Sequence, residues 1–210
     1  AEVPTKTGLT EAEETALLQD HLIEINDNIE RSRRKEISLP INFKYRGKCI
    51  KREKCGILRA PGKPLLIVLE NCDPTGQDFV IEFRLGVDLR KDIVCLQLFK
   101  IMQQLWFEND LKTKMSIYHL VGTGLNQGMV EIVKHSKSLS KIYKEESGPF
   151  KALAKSQITN WIQHNGILSE EELLENFLMS CIAYCTATFI LGISDRTTEN
   201  VFIKTNAEVY

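Results

Sequence analysis

The chain is 210 residues long, carries 27 Lys and Arg against 28 Asp and Glu, and is 43% hydrophobic. That is enough to bury a core in one large domain or in two lobes. A formal charge of −1 excludes a global pull towards nucleic acid or an anionic membrane and leaves local patches as the only electrostatic signal.

The first 36 residues are charged and include the turn-like TKTG. Thr10 and Glu13 form a capping-box pair, and Leu17, Leu18, Leu22, Ile25 and Ile29 recur at helical spacing. The spacing predicts an amphipathic helix ending in the basic run Arg31–Lys35. That run reads as a solvated helix end, with a phosphate- or membrane-facing patch as the alternative. From Leu39 the pattern changes to strands. Asn42–Ile50, Gly56–Ala60, Leu65–Leu69 and Phe79–Phe83 are short apolar or alternating runs, broken by KREK, APGKP and NCDPTGQD, the pattern of an antiparallel sheet. Arg90–Phe107 is predicted to be a helix with Asp88 as N-cap and Ile93, Leu96, Ile101 and Leu105 on its apolar face. The step from sheet to helix is expected to bring Arg84, Asp88 and Asp92 near one another. Ile117–Val121 and Met129–Val133 are strand-like, with Gly122–Gly128 (GTGLNQG) as the turn between them, and Phe150–Ile162 reads as a further helix.

Leu173–Ile203 joins a long apolar helix to the polar loop DRTTEN and then a strand. Phe177–Ile193 holds 17 residues without a charge, close to the roughly 20 that a membrane span needs. Against a span stand the hydroxyls of Ser180, Thr186 and Thr188, the acidic start behind a Ser169–Glu172 capping box, and Gly192 as a stop. These favour a helix buried on all sides in a soluble domain. The loop then presents Asp195, Arg196 and Asn200, groups suited to a phosphate or a metal. Six scattered cysteines without a CxxC pair argue against zinc and for reduced, core-filling thiols. His21, His119, His135 and His164 lie too far apart to suggest a ligand set. Trp106 and Trp161 read as core residues on helix faces, and Lys134, Lys137, Lys141 and Lys144, at helical spacing, as a solvated face. No apolar run follows a basic N-terminus, so no signal peptide is expected, and both ends read as cuts through a longer polypeptide.

Four stretches, KPLLIVLENCDPTG, EFRLGVDLRKDIVCLQLFKIMQQLW, GMVEIVKHSKSLSKI and SCIAYCTATFILGISDRTTEN, follow one another between about Lys48 and Tyr210. In order and spacing they resemble the catalytic domain of the phosphoinositide 3-kinases, nearest to the class I, gamma-like enzymes, cut short before that family's HIDFG motif. The resemblance implies an α+β, bilobal protein-kinase-like fold. A helical segment at 1–38 would lead into an antiparallel-sheet N-lobe with an embedded helix and a hinge at 39–134. The start of a helical C-lobe would follow at 135–210, with a cleft between the lobes. It further implies ATP and Mg2+ as cofactors, transfer to the inositol 3-hydroxyl of a phosphoinositide lipid at a membrane surface, and a cytoplasmic protein recruited peripherally. A regulatory or adaptor subunit is an implied partner; nucleic acid and a transmembrane segment are not.

Residue by residue, the resemblance places Ala60, Pro61 and Lys63 in the turn that covers the phosphates, although the family's serine-rich character is missing there. Arg84 stands where the family has a lysine on the α-phosphate. Asp92 and Tyr118 match positions lining the inner nucleotide pocket, Glu131 and Val133 the hinge whose backbone reads adenine, and Phe202 a smaller apolar residue under the adenine. Asp195, Arg196 and Thr197 match the catalytic loop, and Asn200 a magnesium ligand. Three positions depart: Arg84 for lysine, Val87 for the first acid of GDDLRQD, and Thr197 for the histidine of GDRHNxN. A guanidinium is a planar fork rather than a compact ammonium. A threonine hydroxyl donates a hydrogen bond but is neither a base nor a cation near neutral pH. Because phosphoryl transfer rests on positioning and charge cancellation, a catalytically impaired pseudokinase or scaffold is the alternative reading. The 210 residues alone are expected to be inactive.

Overall fold

The computed structural model describes residues 10–146, 157–166 and 168–210, so part of the predicted helix Phe150–Ile162 lies outside the described residues. The chain groups into two compact units, Ala1–Ile93 with Tyr118–Ile132, and Val94–Ile117 with Val133–Tyr210.

In the first unit, helix α1 (Glu11–Arg31) opens on the expected capping box. The Thr10 hydroxyl accepts the Glu13 N–H at 3.4 Å, and the Glu13 carboxylate accepts the Thr10 N–H at 2.7 Å. The bond from that N–H holds the Glu13 carboxyl below its ordinary pKa. Leu18, Leu22 and Ile29 are buried, whereas Ile25, expected on the same face, is exposed. Asn26 takes the i+4 place in the stripe instead. Its amide donates to the Ile50 carbonyl at 2.9 Å and accepts the Ile50 N–H at 2.7 Å, so a side chain completes the end of a strand as a neighbouring backbone would.

The sheet under α1 contains β1 (Ile37–Leu39), β2 (Asn42–Ile50), β3 (Gly56–Ile57), β4 (Leu65–Asn71), β5 (Phe79–Leu85), β6 (Leu120–Gly124) and β7 (Gln127–Glu131). Its order is β1-β2-β4-β5-β7-β6, β3 pairs with β4, and all pairs are antiparallel. Leu18 and Leu22 of α1 bury against Leu39, Ile41, Ile50, Val68, Leu69 and Ile81. Several boundaries differ from the sequence pattern; the strand expected at Ile117–Val121 begins only at Leu120, and that expected at Met129–Val133 spans Gln127–Glu131. β3 stops at Ile57, because residues 58–64 turn back to β4. The turn expected over Gly122–Gly128 shrinks to Leu125–Asn126, with Asn126 in the left-handed region at φ 53°, which asparagine tolerates, and Gly122 pairs with Gly128 inside the ladder.

Helix α2 (Arg90–Glu108) runs from the first unit into the second. Asp88 stands one residue further from the helix than a cap: its carboxylate accepts the Arg90 N–H at 3.0 Å. Leu96 and Phe99 are the buried residues of α2, while Ile101 and Leu105 of the expected apolar face are exposed. Trp106 is half-buried.

The second unit adds β8 (Ser136–Ser138), α3 (Leu139–Glu146), α4 (Gln157–Asn165), α5 (Glu170–Leu191) and β9 (Phe202–Lys204), with β8 and β9 antiparallel. Ile142, Trp161, Ile162, Leu173, Ile203 and Ala207 form its core. The lysine series does not lie on one helix. Lys137 is on β8, held there by the pairing with Ile203, and its ammonium bonds Glu145 at 2.5 Å and lies 6.0 Å from the Trp161 ring centroid. Only Lys141 and Lys144 belong to α3.

Helix α5 has its predicted ends: Ser169 and Glu172 form the capping box, and Gly192 closes it in the left-handed region at φ 66°. The expectation of burial on all sides fails. The buried face is made of small and polar residues, Asn176, Ser180, Ala183, Ala187 and Thr188 with Tyr184, while Leu178, Ile182, Phe189 and Ile190 are exposed. Small residues permit close approach, and each polar group on that face has a partner. Asn176 bonds Lys114 and the Asn206 carbonyl, Ser180 accepts the Val209 N–H at 2.9 Å, and Tyr184 donates to the Ser116 carbonyl at 2.9 Å. The helix is long and apolar enough to cross a membrane, and these bonds fasten it to residues 114–116 and 206–209. All six thiols are free; Cys55 is buried and Cys185 is exposed, so core filling does not describe them all.

Candidate active site

Register assembles the first group. Ile57 pairs with Leu65, and Leu65 with Phe83, so the loop 58–64 closes beside the end of β5 that carries Arg84. Inside the loop the Leu58 N–H donates to the Pro64 carbonyl at 2.8 Å and the Lys63 N–H to the Ala60 carbonyl at 2.9 Å. Gly62 and Lys63 both lie at positive φ, 78° and 43°, which glycine adopts freely and lysine does not. Ala60, Pro61 and Lys63 are thus brought to the strand end of Arg84. Both cations already hold carboxylates. Lys63 Nζ lies 2.8 and 2.9 Å from the two oxygens of Glu14 on α1, and Arg84 Nε donates to Glu82 at 2.6 Å. Glu82 and Arg84 share one face of β5, opposite buried Ile81.

The expected group of Arg84, Asp88 and Asp92 divides into pairs. Asp88 takes the Arg90 guanidinium at 2.9 and 2.7 Å. The side-chain bonds from Arg90, then its N–H, lower the Asp88 pKa to about 2. Asp92 is exposed in the first turn of α2, and Val87 donates its N–H to the Asn126 carbonyl at 3.0 Å.

Glu131 ends β7 opposite Ile81, and its side chain has a setting that the backbone-only expectation lacked. One carboxylate oxygen accepts the His119 N–H at 2.9 Å and the His119 Nδ1 at 2.5 Å; the other accepts the Tyr45 hydroxyl at 3.3 Å. Tyr45 stacks on Phe79 at 4.7 Å and meets His119 edge-on at 5.8 Å. Burial pushes the Tyr45 hydroxyl pKa up, and the Glu131 charge adds to it. Tyr118, next in the chain to His119, is half-buried.

In the second unit, the Val133 carbonyl accepts the Ser136 hydroxyl at 2.7 Å, and that hydroxyl also meets the Tyr210 hydroxyl at 2.6 Å. Tyr210 stacks on Phe202 at 5.5 Å. Val133 and Phe202, two of the three positions matched to the adenine, are therefore linked through Ser136 and Tyr210. The loop expected to be catalytic is a turn in which Asn200 and Val201 donate to the Thr197 carbonyl at 3.0 and 3.1 Å, fastened to the start of α3 by Ser140 N–H to Thr198 O at 2.8 Å. Asp195, Arg196, Thr197 and Asn200 are exposed on it. Asn200 Nδ2 donates to Asp195 Oδ2 at 2.9 Å, which leaves the amide oxygen of Asn200 for another partner.

Among the described residues no group of three His, Cys, Asp or Glu could hold a metal. Two oxygen donors, the Asn200 amide and the Asp195 carboxylate, nevertheless fit a hard cation that completes its shell with water and phosphate oxygens. A cavity of ≈ 670 Å³ in the second unit, lined by Tyr143, Ile158, Ile162, Leu173 and Phe177 among others, contains none of the expected site residues. Sequence reasoning missed Glu14, Glu82, Tyr45 and His119. The i, i+2 spacing of Glu82 and Arg84 on a strand was a legible signal for one pair; the others depend on strand order.

A family model described as Phosphatidylinositol 3- and 4-kinase matches residues 78–210. Among curated proteins, the human Phosphatidylinositol 3-kinase C2 domain-containing subunit gamma is 34% identical over 174 residues, 82% of this chain and 12% of the relative. The human Phosphatidylinositol 4-phosphate 3-kinase C2 domain-containing subunit beta is 34% identical over 176 residues, 82% and 11% respectively. Phosphatidylinositol 3-kinase 3 of Dictyostelium discoideum is 30% identical over 190 residues, 90% and 11%. The chain thus spans about a ninth of the length of these relatives, and their names do not single out class I. By the extent of the family match, the chain belongs to the phosphatidylinositol 3- and 4-kinase family.

Proposed function

We propose that the chain carries the phosphate-covering turn, hinge and catalytic loop of a lipid kinase. Its parent protein would use ATP with Mg2+ to phosphorylate the inositol 3-hydroxyl of a phosphoinositide. The bilobal arrangement, a cytoplasmic protein recruited to the membrane surface, and a regulatory or adaptor subunit belong to the same proposal. The observation that carries it is the Asp195–Asn200 pair on an exposed loop, which offers a carboxylate and an amide oxygen together. In this reading the Asp195 carboxylate accepts the proton of the attacking hydroxyl, and the Thr197 hydroxyl donates to a phosphoryl oxygen. Arg84 and the Lys63 turn bind the α- and β-phosphates, and the Val133 backbone reads the adenine edge. Asn200 would hold the magnesium, which supplies charge neutralisation on the phosphate oxygens. The engagement of Lys63 and Arg84 by Glu14 and Glu82 favours a second reading, an impaired relative whose phosphate cations are already occupied.

ADP release by the longest natural polypeptide containing this chain, on phosphoinositide vesicles with Mg-ATP, separates the two. The kinase reading expects a 3-phosphorylated lipid product and a loss of about 10²–10⁴-fold for Asp195→Ala. No turnover by a folded protein that binds nucleotide establishes the impaired relative.

A further inference from the structure

Three hydrogen bonds join His119 to Glu131, since the Glu131 N–H also donates to the His119 carbonyl at 2.9 Å. The surroundings fix the imidazole tautomer. Asn42 Oδ1 accepts the Lys44 N–H at 3.0 Å, which commits its NH2 group to the other side, where His119 Nε2 lies 3.4 Å away. Nε2 is therefore the acceptor, and Nδ1 carries the proton donated to Glu131. Tyr45 keeps its hydroxyl proton, because burial and the Glu131 charge raise its pKa, and donates to the second carboxylate oxygen. Both oxygens of Glu131 are thus satisfied by groups from β2 and from the segment leading into β6, which are not neighbours in the sheet order. The next residue, Ile132, donates its N–H to the Val80 carbonyl at 3.1 Å, and Val133 follows. The end of β7 is therefore held on both sides, by the carboxylate contacts of Glu131 and by the backbone bond of Ile132.

We propose that His119 is a positioning residue for adenine recognition. It clamps the end of β7 through the Glu131 carboxylate and so holds the Glu131 backbone carbonyl, one of the two hinge positions, in place, with Tyr45 as the second clamp. This rests on the nucleotide reading above, and it assigns a role to a histidine that spacing alone left without one.

The test measures kcat and KM for ATP in the longest natural polypeptide containing this chain, with Mg-ATP and phosphoinositide vesicles, and thermal stability alongside. His119→Phe keeps an aromatic ring but removes the donor, and is expected to raise KM for ATP roughly ten-fold, the scale of one charge-assisted hydrogen bond, with kcat changed much less. His119→Gln, whose amide N–H can replace Nδ1–H, restores most of the loss. Tyr45→Phe, which keeps the stack on Phe79, raises KM several-fold. An unchanged KM in His119→Phe, or no recovery in His119→Gln, overturns the clamp while leaving nucleotide use intact. If His119→Phe does not fold, an unchanged KM in Tyr45→Phe, or a KM raised ten-fold in His119→Gln, does the same. A wild-type protein that neither turns over nor binds Mg-ATP removes the nucleotide reading, and the proposal with it.

Discussion

Gly122 and Gly128 face each other across the β6–β7 hairpin, yet a methyl group would meet different surroundings at each. A Cβ on Gly128 would lie 2.4 Å from the Val121 carbonyl oxygen, 2.6 Å from Leu89 Cδ1 and 3.2 Å from Gly122 Cα, whereas on Gly122 the nearest atom is Ile93 Cδ1 at 3.9 Å. Non-bonded carbons rest at about 3.5–4.0 Å, so Gly128→Ala demands close to an ångström of relief. Leu89 can rotate away; the Val121 carbonyl can move only by opening the β6–β7 ladder. Overpacking costs about 1–3 kcal/mol, and backbone displacement puts this site in the upper half of that range. At roughly 2–4 °C per kcal/mol for a chain of this size, Gly128→Ala is expected to lower Tm by about 4–12 °C. Gly122→Ala stays within about 0.5 kcal/mol of wild type, or roughly 2 °C. Thermal unfolding followed by circular dichroism reads both. Equal Tm values for the two variants would refute the reasoning, because the two glycines are paired across one hairpin and the contacts a Cβ would make are what sets them apart in this argument.

Asn176→Ala leaves Lys114 and the Asn206 carbonyl without their partner on α5, and a loss of about 1–3 kcal/mol is expected from the urea midpoint; a change under about 0.5 kcal/mol would show that water replaces the amide at no cost. Asp88 titrates near 2 in the folded chain against 3.8 ordinarily, so its folded pKa is depressed. Its contribution is present above pH 3.8 and is lost as pH falls towards 2. Asp88→Asn should therefore flatten the fall in stability across that window relative to wild type, and parallel pH profiles would rule out the Arg90 contact as its source.

Local signals in the sequence carried the ends of helices well and their faces poorly. Thr10 with Glu13 and Ser169 with Glu172 mark α1 and α5 because a capping box is complete within four residues. The face of α5 is not local. Most of its large apolar residues lie on the exposed side and its buried ones are mainly small or polar, and which side is buried depends on where Lys114, Ser116, Asn206 and Val209 arrive. The same holds for β6 and β7: GTGLNQG has the composition of a turn, and only the packing of Leu89 and Val121 against position 128 draws its glycines into the strands. In the candidate site, the exposed polar loop was readable because Asp195 and Asn200 are close in sequence. The partners of Glu131 were not, since His119 and Tyr45 reach it only through strand pairing separated by 12 and 86 residues.

The two cation pairs bear unequally on the impaired reading. Lys63 spends its single nitrogen on both oxygens of Glu14, but its side chain is 66% exposed, where ion pairs contribute about 0–1 kcal/mol. A phosphate of higher charge would exchange with Glu14 readily. Arg84 is different in kind. Glu82 engages its Nε, and a guanidinium has five N–H donors in a planar fork, so the terminal nitrogens stay available while the contact with Glu82 orients them. A lysine in that position would have to choose between the carboxylate and a phosphate with one ammonium. The arginine, which in sequence looked like a departure from the family, can hold its own strand neighbour and an anion together. On the proposed reading, the departure that bears on an impaired relative is therefore less Arg84 than Thr197, a neutral hydroxyl where the resemblance places a histidine.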